Sequence, residues 1–187
     1  MDVVILLSGG ADSVSLAVVA HRAGMRWLGV FVDYGQPSAV RERAASAEAC
    51  RRFGGELRVV EVRGVPLAGM AMAQGAAIVP GRNLWLVGLG AAHAQSAGCP
   101  LLWVGCCAAD LDSYPDCRPA WVRSASAAAS AYGVRVEAPL AETSKAETVA
   151  VLQDAGAAWW SCYRGGDAPC GSCNSCRQFE APPGWLL

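Results

Sequence analysis

The chain has 187 residues, 53% of them apolar and 17% charged, so the sequence predicts one folded domain with room for a small appendage and excludes a disordered chain. Its 15 basic and 16 acidic residues leave a net charge of −1, which supplies no positive field for sequence-independent binding of nucleic acid. The first apolar run is too short for a signal peptide, and no stretch of about 18 residues is apolar enough to cross a membrane. We therefore expect a cytoplasmic protein without nucleic-acid or membrane partners.

Short apolar runs alternate with helix-like segments over the first 156 residues. The runs predict buried strands at 3–7, 27–32, 57–62, 101–106 and 134–138. The segments between them predict helices at 12–23, 40–53, 84–97 and 119–132, and a capping box at Ser144 to Glu147 opens a last helix that ends at Gly156. This alternation predicts an α/β fold: a five-stranded parallel sheet with helices on both faces and a ligand site at the carboxyl ends of the strands.

The pattern changes after residue 156. Trp159 and Trp160 come first, followed by four closely spaced cysteines and a terminal run that contains Trp185. We expect residues 1–156 to form the α/β domain and residues 157–187 to form a small C-terminal segment. The tryptophans suit either a core or a subunit interface.

A turn made of Ser-Gly-Gly-Ala-Asp-Ser occupies residues 8–13, where the first strand gives way to the first helix. Free backbone N–H groups and the positive end of the helix dipole favour an anion there, and the glycines let a phosphate approach the main chain. Asp12 would repel a polyphosphate unless a divalent cation such as Mg²⁺ lay between them. An ordinary capped turn gives the same residues. A kinase-type P-loop is excluded, because the only lysine of the chain is Lys145.

The chain has nine cysteines, and this odd number favours metal binding and free thiols over a closed disulfide framework. Four of them are spaced C-x7-C-x2-C-x2-C: Cys162, Cys170, Cys173 and Cys176. Four thiolates without a histidine suit a closed, structural zinc site, and an iron–sulfur cluster is the main alternative. Four others are expected to be small core residues: Cys50, Cys99, Cys106 and Cys107.

Charged residues crowd the loop after the fourth predicted strand, among them Asp110, Asp112, Asp116 and Arg118. This is the edge of a parallel sheet where ligands bind, although an exposed loop would show the same residue types. Lys145 is unfavourably placed for a cation, since it stands at the start of a helix. Its position indicates a phosphate partner or, alternatively, a solvated residue of the capping box.

The turn at 8–13 resembles the PP-loop of the ATP pyrophosphatases, which cleave ATP between the α and β phosphates. Further motifs follow it in the order found in the 7-cyano-7-deazaguanine synthases: 33–36 (Asp-Tyr-Gly-Gln), 79–83 (Val-Pro-Gly-Arg-Asn), 114–118 (Tyr-Pro-Asp-Cys-Arg), 145–147 (Lys-Ala-Glu) and the four cysteines. Together the motifs cover nearly the whole chain. Tyr-Pro-Asp-Cys-Arg followed by the cysteines is the most discriminating of them.

The resemblance implies roles for individual residues. ATP would be bound by the turn and its surroundings: Leu7, Ser8, Gly9, Gly10, Ala11, Asp12, Ser13, Val14, Ser15, Asp33 and Lys145. The substrate would be held by Arg82, Asn83, Asp110, Tyr114, Asp116 and Arg118, and Asp12, Asp116 and Lys145 would be catalytic. The cysteines would hold zinc, and family members resemble homodimers.

The sequence departs from the family after Gln36. Family members usually continue with Arg-His and a later Glu, whereas this chain has Pro37, Ser38 and Arg41, with Glu42 adjacent. Because serine cannot shuttle protons near neutral pH as histidine can, we expect slower dehydration chemistry and some accumulation of amide.

The sequence therefore predicts an ATP-dependent ligase in queuosine biosynthesis. A carboxylate is adenylated, ammonia from solution or a partner displaces AMP to give an amide, and a second activation yields the nitrile; the substrate implied by the resemblance is 7-carboxy-7-deazaguanine. Two alternatives remain at this point. One is a paralogue that stops at the amide or uses another carboxylate, and the other is a zinc-stabilised nucleotide-binding module without turnover.

Overall fold

Five short strands form the centre of the computed structural model, which describes residues 1–65, 79, 81–111 and 114–179. The strands are β1 (Val3–Leu6), β2 (Trp27–Asp33), β3 (Glu56–Glu61), β4 (Leu101–Trp103) and β5 (Arg135–Glu137). Neighbouring strands pair in parallel, in the order β3-β2-β1-β4-β5. The predicted five-stranded parallel sheet is confirmed.

Helices follow the strands as the sequence pattern predicts. They are α1 (Ala11–Arg22), α2 (Ala39–Phe53), α3 (Arg82–Ser96), α4 (Pro119–Ser130), α5 (Lys145–Asp154) and α6 (Asn174–Gln178). Ser144 and Glu147 form the predicted capping box of α5, since each side chain accepts a hydrogen bond from the other's backbone N–H. The short helix α6 and two 3₁₀ turns, Ala108–Asp110 and Pro115–Cys117, lie in segments for which the sequence predicted only loop.

Alternate residues of β1 point to opposite faces of the sheet, and each face has its own core. Val3 and Ile5 pack with side chains of α1, α2 and α5, whereas Val4 packs with side chains of α3 and α4. Because the sheet is buried on both faces, its central strands are continuous apolar runs. The four cysteines expected in the core are all buried: Cys50, Cys99, Cys106 and Cys107.

Strand β4 is shorter than predicted, since it ends at Trp103 instead of residue 106. The backbone N–H of Val104 still donates to the carbonyl of Glu137, but the chain then crosses the turn at 8–13. A Cβ atom on Gly105 would lie 3.1 Å from the backbone nitrogen of Ser13. The chain therefore leaves the sheet after Val104, and residues 104–106 line a cavity at the end of the strand. Apolar composition alone does not distinguish these two environments.

The segment after α5 packs against the α/β core. Trp159 is fully buried in the same cluster as β1 and α1, and its ring lies 6.4 Å from that of Phe179. Trp160 is also fully buried, so both tryptophans are core residues in this chain. Trp185 lies outside the described residues, and the division at residue 156 stays a prediction. None of the helices in the described ranges has the length and apolar character needed to cross a bilayer.

Candidate active site and metal centre

A cavity of about 250 Å³ opens at the carboxyl ends of the strands. It lies where the strand order reverses, because β1 is flanked by β2 on one side and by β4 on the other. Its walls come from the turn at 8–13, the start of α3, the loop after β4 and the segment around Trp160. This is the position at which open parallel sheets bind ligands.

The turn at 8–13 is held by its own hydroxyl groups and by α2. Ser13 Oγ donates to the carbonyl of Gly10 at 3.0 Å and lies 3.1 Å from Ser8 Oγ. Gly9 has a φ of 75°, and a Cβ atom there would overlap the carbonyl oxygen of Glu42. A glycine is therefore required at this position, both for the left-handed backbone and for the close approach of α2.

Asp12 and Lys145 form an ion pair in the cavity wall. Lys145 Nζ lies 2.9 Å from both carboxylate oxygens of Asp12, and the two side chains are only 15% and 19% exposed. Burial raises the pKa of Asp12, and the charge of Lys145 opposes this rise. Burial acts to lower the pKa of Lys145, but the carboxylates of Asp12 and Asp110 raise it above its ordinary value. In this structure Asp12 is the anionic partner of a cation that otherwise stands unfavourably at a helix start.

The same cavity is lined by five of the predicted substrate residues: Arg82, Asn83, Asp110, Tyr114 and Asp116. Burial acts to lower the pKa of Arg82, but the hydroxyl of Tyr34 and the carboxylate of Asp116 raise it, so the guanidinium stays charged. A half-buried guanidinium at this position suits a planar ligand that carries a carboxylate.

Several predicted residues do not reach the cavity. Val14 and Ser15 are fully buried, and Ser15 Oγ donates to the carbonyl of Thr148. Asp33 accepts a hydrogen bond from its neighbour Gly35, and the side chain of Arg118 donates to the carbonyl of Leu111. The backbone of Gly9 shapes the turn from outside the wall, while Leu7 contributes to the wall from the core. Asp112 lies outside the described residues.

Other residues line the cavity although the sequence assigned them no role. Glu42 is the clearest case, because its carboxylate accepts hydrogen bonds from Ser38 Oγ at 2.7 Å and from Gln36 Nε2 at 2.9 Å. Burial raises the pKa of Glu42. Ser38 is thus the partner of a carboxyl group in the cavity wall.

Tyr163 is a second such residue. Its hydroxyl lies 3.4 Å from that of Tyr114, and burial raises its pKa. The sequence signal was its position directly after Cys162.

The sulfur atoms of Cys162, Cys170, Cys173 and Cys176 lie within 4.8 Å of one another. Three of these sulfurs accept a hydrogen bond from a backbone N–H group. The N–H of Cys170 donates to Cys162 Sγ, that of Cys173 to Cys170 Sγ and that of Cys176 to Cys173 Sγ, each at 3.4 Å. Burial acts to raise the pKa of Cys170, but hydrogen bonds from Ser172 and Cys173 lower it to about 6. Thiolates are the metal-binding form of cysteine, so this cluster can hold a metal ion.

Asp12, Cys107 and Asp110 form a smaller group, with ligand atoms within 4.8 Å of one another. Cys107 Sγ donates to Asp110 at 3.2 Å, and burial raises its pKa to about 11, so Cys107 is a neutral thiol at pH 7. A hard divalent cation such as Mg²⁺ takes oxygen ligands, which only the two carboxylates supply.

The family model described as queuosine biosynthesis protein QueC matches residues 2–181. The chain belongs to the QueC family. The 7-cyano-7-deazaguanine synthase of Synechococcus sp. (strain RCC307) is 36% identical over 203 residues, covering 94% of this chain and 91% of the relative. The 7-cyano-7-deazaguanine synthase 2 of Desulfitobacterium hafniense (strain Y51) is 31% identical and covers 92% and 84%. The resemblance drawn from the motifs is confirmed.

Solved structures show the same fold as this QueC chain. The U34-tRNA thiolase NcsA from Methanococcus maripaludis, solved with its [4Fe-4S] cluster, has a TM-score of 0.66 and 16% identity, covering 95% of this chain and 63% of the thiolase. The NMN synthetase from Francisella tularensis has a TM-score of 0.63 and 14% identity, covering 92% and 70%. At these identities the likeness extends to the α/β architecture alone.

Proposed function

We propose that the chain is a 7-cyano-7-deazaguanine synthase: an ATP-dependent ligase that adenylates 7-carboxy-7-deazaguanine, aminates it with ammonia and dehydrates the amide to the nitrile. The observation that carries this proposal is that residues of the turn at 8–13 and Arg82, Tyr114 and Asp116 line one cavity. The chain is also similar along nearly its whole length to enzymes that bear this name.

Two groups of residues that line the cavity have separate roles, one toward ATP and the other toward the deazapurine. Backbone N–H groups at the start of α1 and the hydroxyl of Ser8 bind the phosphates of ATP. Lys145 is the nearby cation that offsets negative charge as pyrophosphate departs. The charged guanidinium of Arg82 and the carboxylate of Asp116 hold the deazapurine so that its carboxylate faces the α phosphorus.

Two metal ions belong to the proposal. The carboxylates of Asp12 and Asp110 would hold Mg²⁺, which when bound offsets the charge of the phosphates. The four cysteines would hold structural zinc: a tetrahedral ion with Zn–S bonds of about 2.3 Å separates its sulfurs by about 3.8 Å. The sulfurs of Cys170 and Cys176 are 3.9 Å apart, which suits one shared ion.

The setting of the enzyme follows from the same chemistry. Nine unpaired cysteines suit the reducing cytoplasm. Ammonia comes from solution or from a partner protein, and the active unit is a homodimer, as the family resemblance implies.

The test is incubation of the purified protein with ATP, Mg²⁺, ammonium and 7-carboxy-7-deazaguanine, with products measured by mass spectrometry. We expect AMP and pyrophosphate, two AMP for each nitrile, and some amide at early times because Ser38 replaces histidine. Lys145→Gln removes the cation beside Asp12 and should lower the rate of AMP formation at least about 100-fold. Arg22→Gln removes an exposed cation paired with Asp154 at 2.6 Å and should leave the rate unchanged.

Substrate-dependent release of ADP instead of AMP would contradict the proposal. So would the absence of turnover of this acid by protein that is folded and metal-loaded. If the amide were the final product, the proposed ligase activity would stand and the proposed nitrile product would be wrong.

A further inference from the structure

Four consecutive residues, 160–163, connect the cysteine cluster to the turn at 8–13 and to Tyr114. The backbone N–H of Trp160 donates to the carbonyl of Gly9 at 2.9 Å, and Ser161 Oγ accepts from the backbone N–H of Ala11 at 3.4 Å. Cys162 is a member of the cluster, and the hydroxyl of Tyr163 lies 3.4 Å from that of Tyr114. The turn at 8–13, the cysteine cluster and the loop that contains Tyr114 therefore meet along residues 160–163.

Residues 160–163 are held in place by packing and by an internal hydrogen bond. Trp160 and Cys162 are fully buried, and they pack together with Cys173 and Cys176. The indole Nε1 of Trp160 donates to the carbonyl of Cys162 at 2.8 Å. A change in the position of Cys162 is thus transmitted to the backbone that holds Gly9.

Ser161 has a hydrogen still to donate. Its oxygen accepts from Ala11, the first residue of α1, while its side chain lines the cavity. A hydroxyl that accepts one hydrogen bond keeps its own O–H as a donor. An anion beside the turn would find this donor next to the backbone N–H groups of α1.

We propose that Ser161 donates to a phosphate of bound ATP, and that residues 160–163 couple ATP binding to metal binding by the cysteine cluster. The inference rests on the proposed use of ATP and extends the nucleotide site into the C-terminal segment. By thermodynamic linkage the coupling is reciprocal: whatever factor the metal adds to ATP affinity, ATP adds to metal affinity.

The first experiment measures ATP affinity on metal-loaded protein. The probe is α,β-methylene-ATP with Mg²⁺, which resists cleavage, and the readout is isothermal titration calorimetry. Ser161→Ala should raise the Kd about 10- to 100-fold, as expected for the loss of a hydrogen bond to a charged group, with metal content unchanged. The matched control is Ser124→Ala, because Ser124 is exposed on α4, donates to the carbonyl of Ala120 at 3.1 Å and is not part of the cavity lining or the cysteine cluster. Its Kd should equal that of the unmodified protein.

The second experiment measures metal release from the folded protein to a chromogenic chelator. The ATP analogue should slow release at least about tenfold in the unmodified protein and in Ser124→Ala, and this protection should be lost in Ser161→Ala. Direct chelation of the metal by the analogue would accelerate release, so it cannot imitate the expected effect.

Two results would overturn the inference: Ser161→Ala that binds the analogue as tightly as the unmodified protein, or a release rate that the analogue does not change. Both are separable from failure of the proposed function, in which the unmodified protein binds no ATP analogue at all.

Discussion

Glu42 is a carboxyl group in the cavity wall whose hydrogen-bond donors, Ser38 and Gln36, are both neutral. Burial raises its pKa above the ordinary value of 4.5, so the folded state holds the proton more tightly than the unfolded state. The stability that this group contributes is present below about pH 4.5 and is lost as the pH rises through the folded pKa. The ionised carboxylate of Glu42 therefore lowers the stability of the folded state at neutral pH.

We expect Glu42→Gln to gain stability relative to the unmodified protein as the pH is raised from about 4.5 to 7.5, because the amide cannot ionise. Urea unfolding at a series of pH values measures this difference. Glu48→Gln on the same helix is the control: hydrogen bonds to Arg51 lower the pKa of Glu48, so its contribution is lost only below about pH 4.5 and its difference from the unmodified protein should be nearly constant over most of this range. A difference for Glu42→Gln that is constant over this range would exclude a raised pKa.

At the residue scale, prediction from sequence succeeded where partners are close in the chain. The grouping of the four cysteines and the reciprocal bonds of Ser144 and Glu147 were both readable from spacing, because the partners lie within one short segment. The Asp12–Lys145 pair joins residues that are 133 positions apart, and the sequence indicated for Lys145 only a phosphate partner or a solvated place in the capping box. The contact of Tyr163 with Tyr114 depends on the packing of two loops that are far apart in the sequence, so a local sequence pattern does not predict it.

At the scale of elements, the junction between β1 and α1 depends on how closely α2 approaches it. Gly9 and Gly24 both have a left-handed backbone, with φ of 75° and 68°. They differ in their surroundings, because a Cβ atom at Gly24 meets nothing within 4 Å, whereas one at Gly9 would overlap the backbone of Glu42.

Gly24→Ala should therefore lower the free energy of unfolding by only about 1 kcal/mol, the cost of a left-handed alanine. Gly9→Ala should lower it by at least about 3 kcal/mol and should also abolish nucleotide binding, because α2 must move away from the turn. Chemical denaturation of the two variants side by side provides the comparison. Equal losses would show that backbone conformation, not crowding, dominates at Gly9.

The type of the strands and of the five longer helices, and their succession along the chain, followed from hydrophobic periodicity and capping residues, because each element is stabilised by burying its own apolar face. The order of the strands within the sheet was not predicted. Their ends were less well predicted. Strand β4 stops at Trp103 because residues 104–106 line the cavity, and β5 is limited to the three residues that pair with β4. Helix α6 is only five residues long and forms within the cysteine segment, where apolar periodicity has no room to develop.

At the scale of the whole molecule, the cysteine cluster fixes the last described segment against the sheet. We expect one zinc ion per chain by elemental analysis of the purified protein, and we expect Cys173→Ser to lower the zinc content. Since metal binding contributes folding free energy here, chelation should increase hydrogen exchange in residues 157–179 before it affects β1 or β2. Iron in place of zinc, or folded protein without metal, would contradict this assignment.

The pairing of Asp12 with the only lysine of the chain has a practical consequence for labelling chemistry. The protein carries two kinds of primary amine, the α-amino group of Met1 and the ε-amino group of Lys145. Acylating reagents attack the neutral amine, and the carboxylates of Asp12 and Asp110 keep Lys145 protonated. Amine-directed dyes, cross-linkers and surface-coupling reagents should therefore modify the N-terminus first. A second acyl group on the same molecule would mark the loss of the ion pair, which makes the extent of acylation a direct reporter of the state of the nucleotide site.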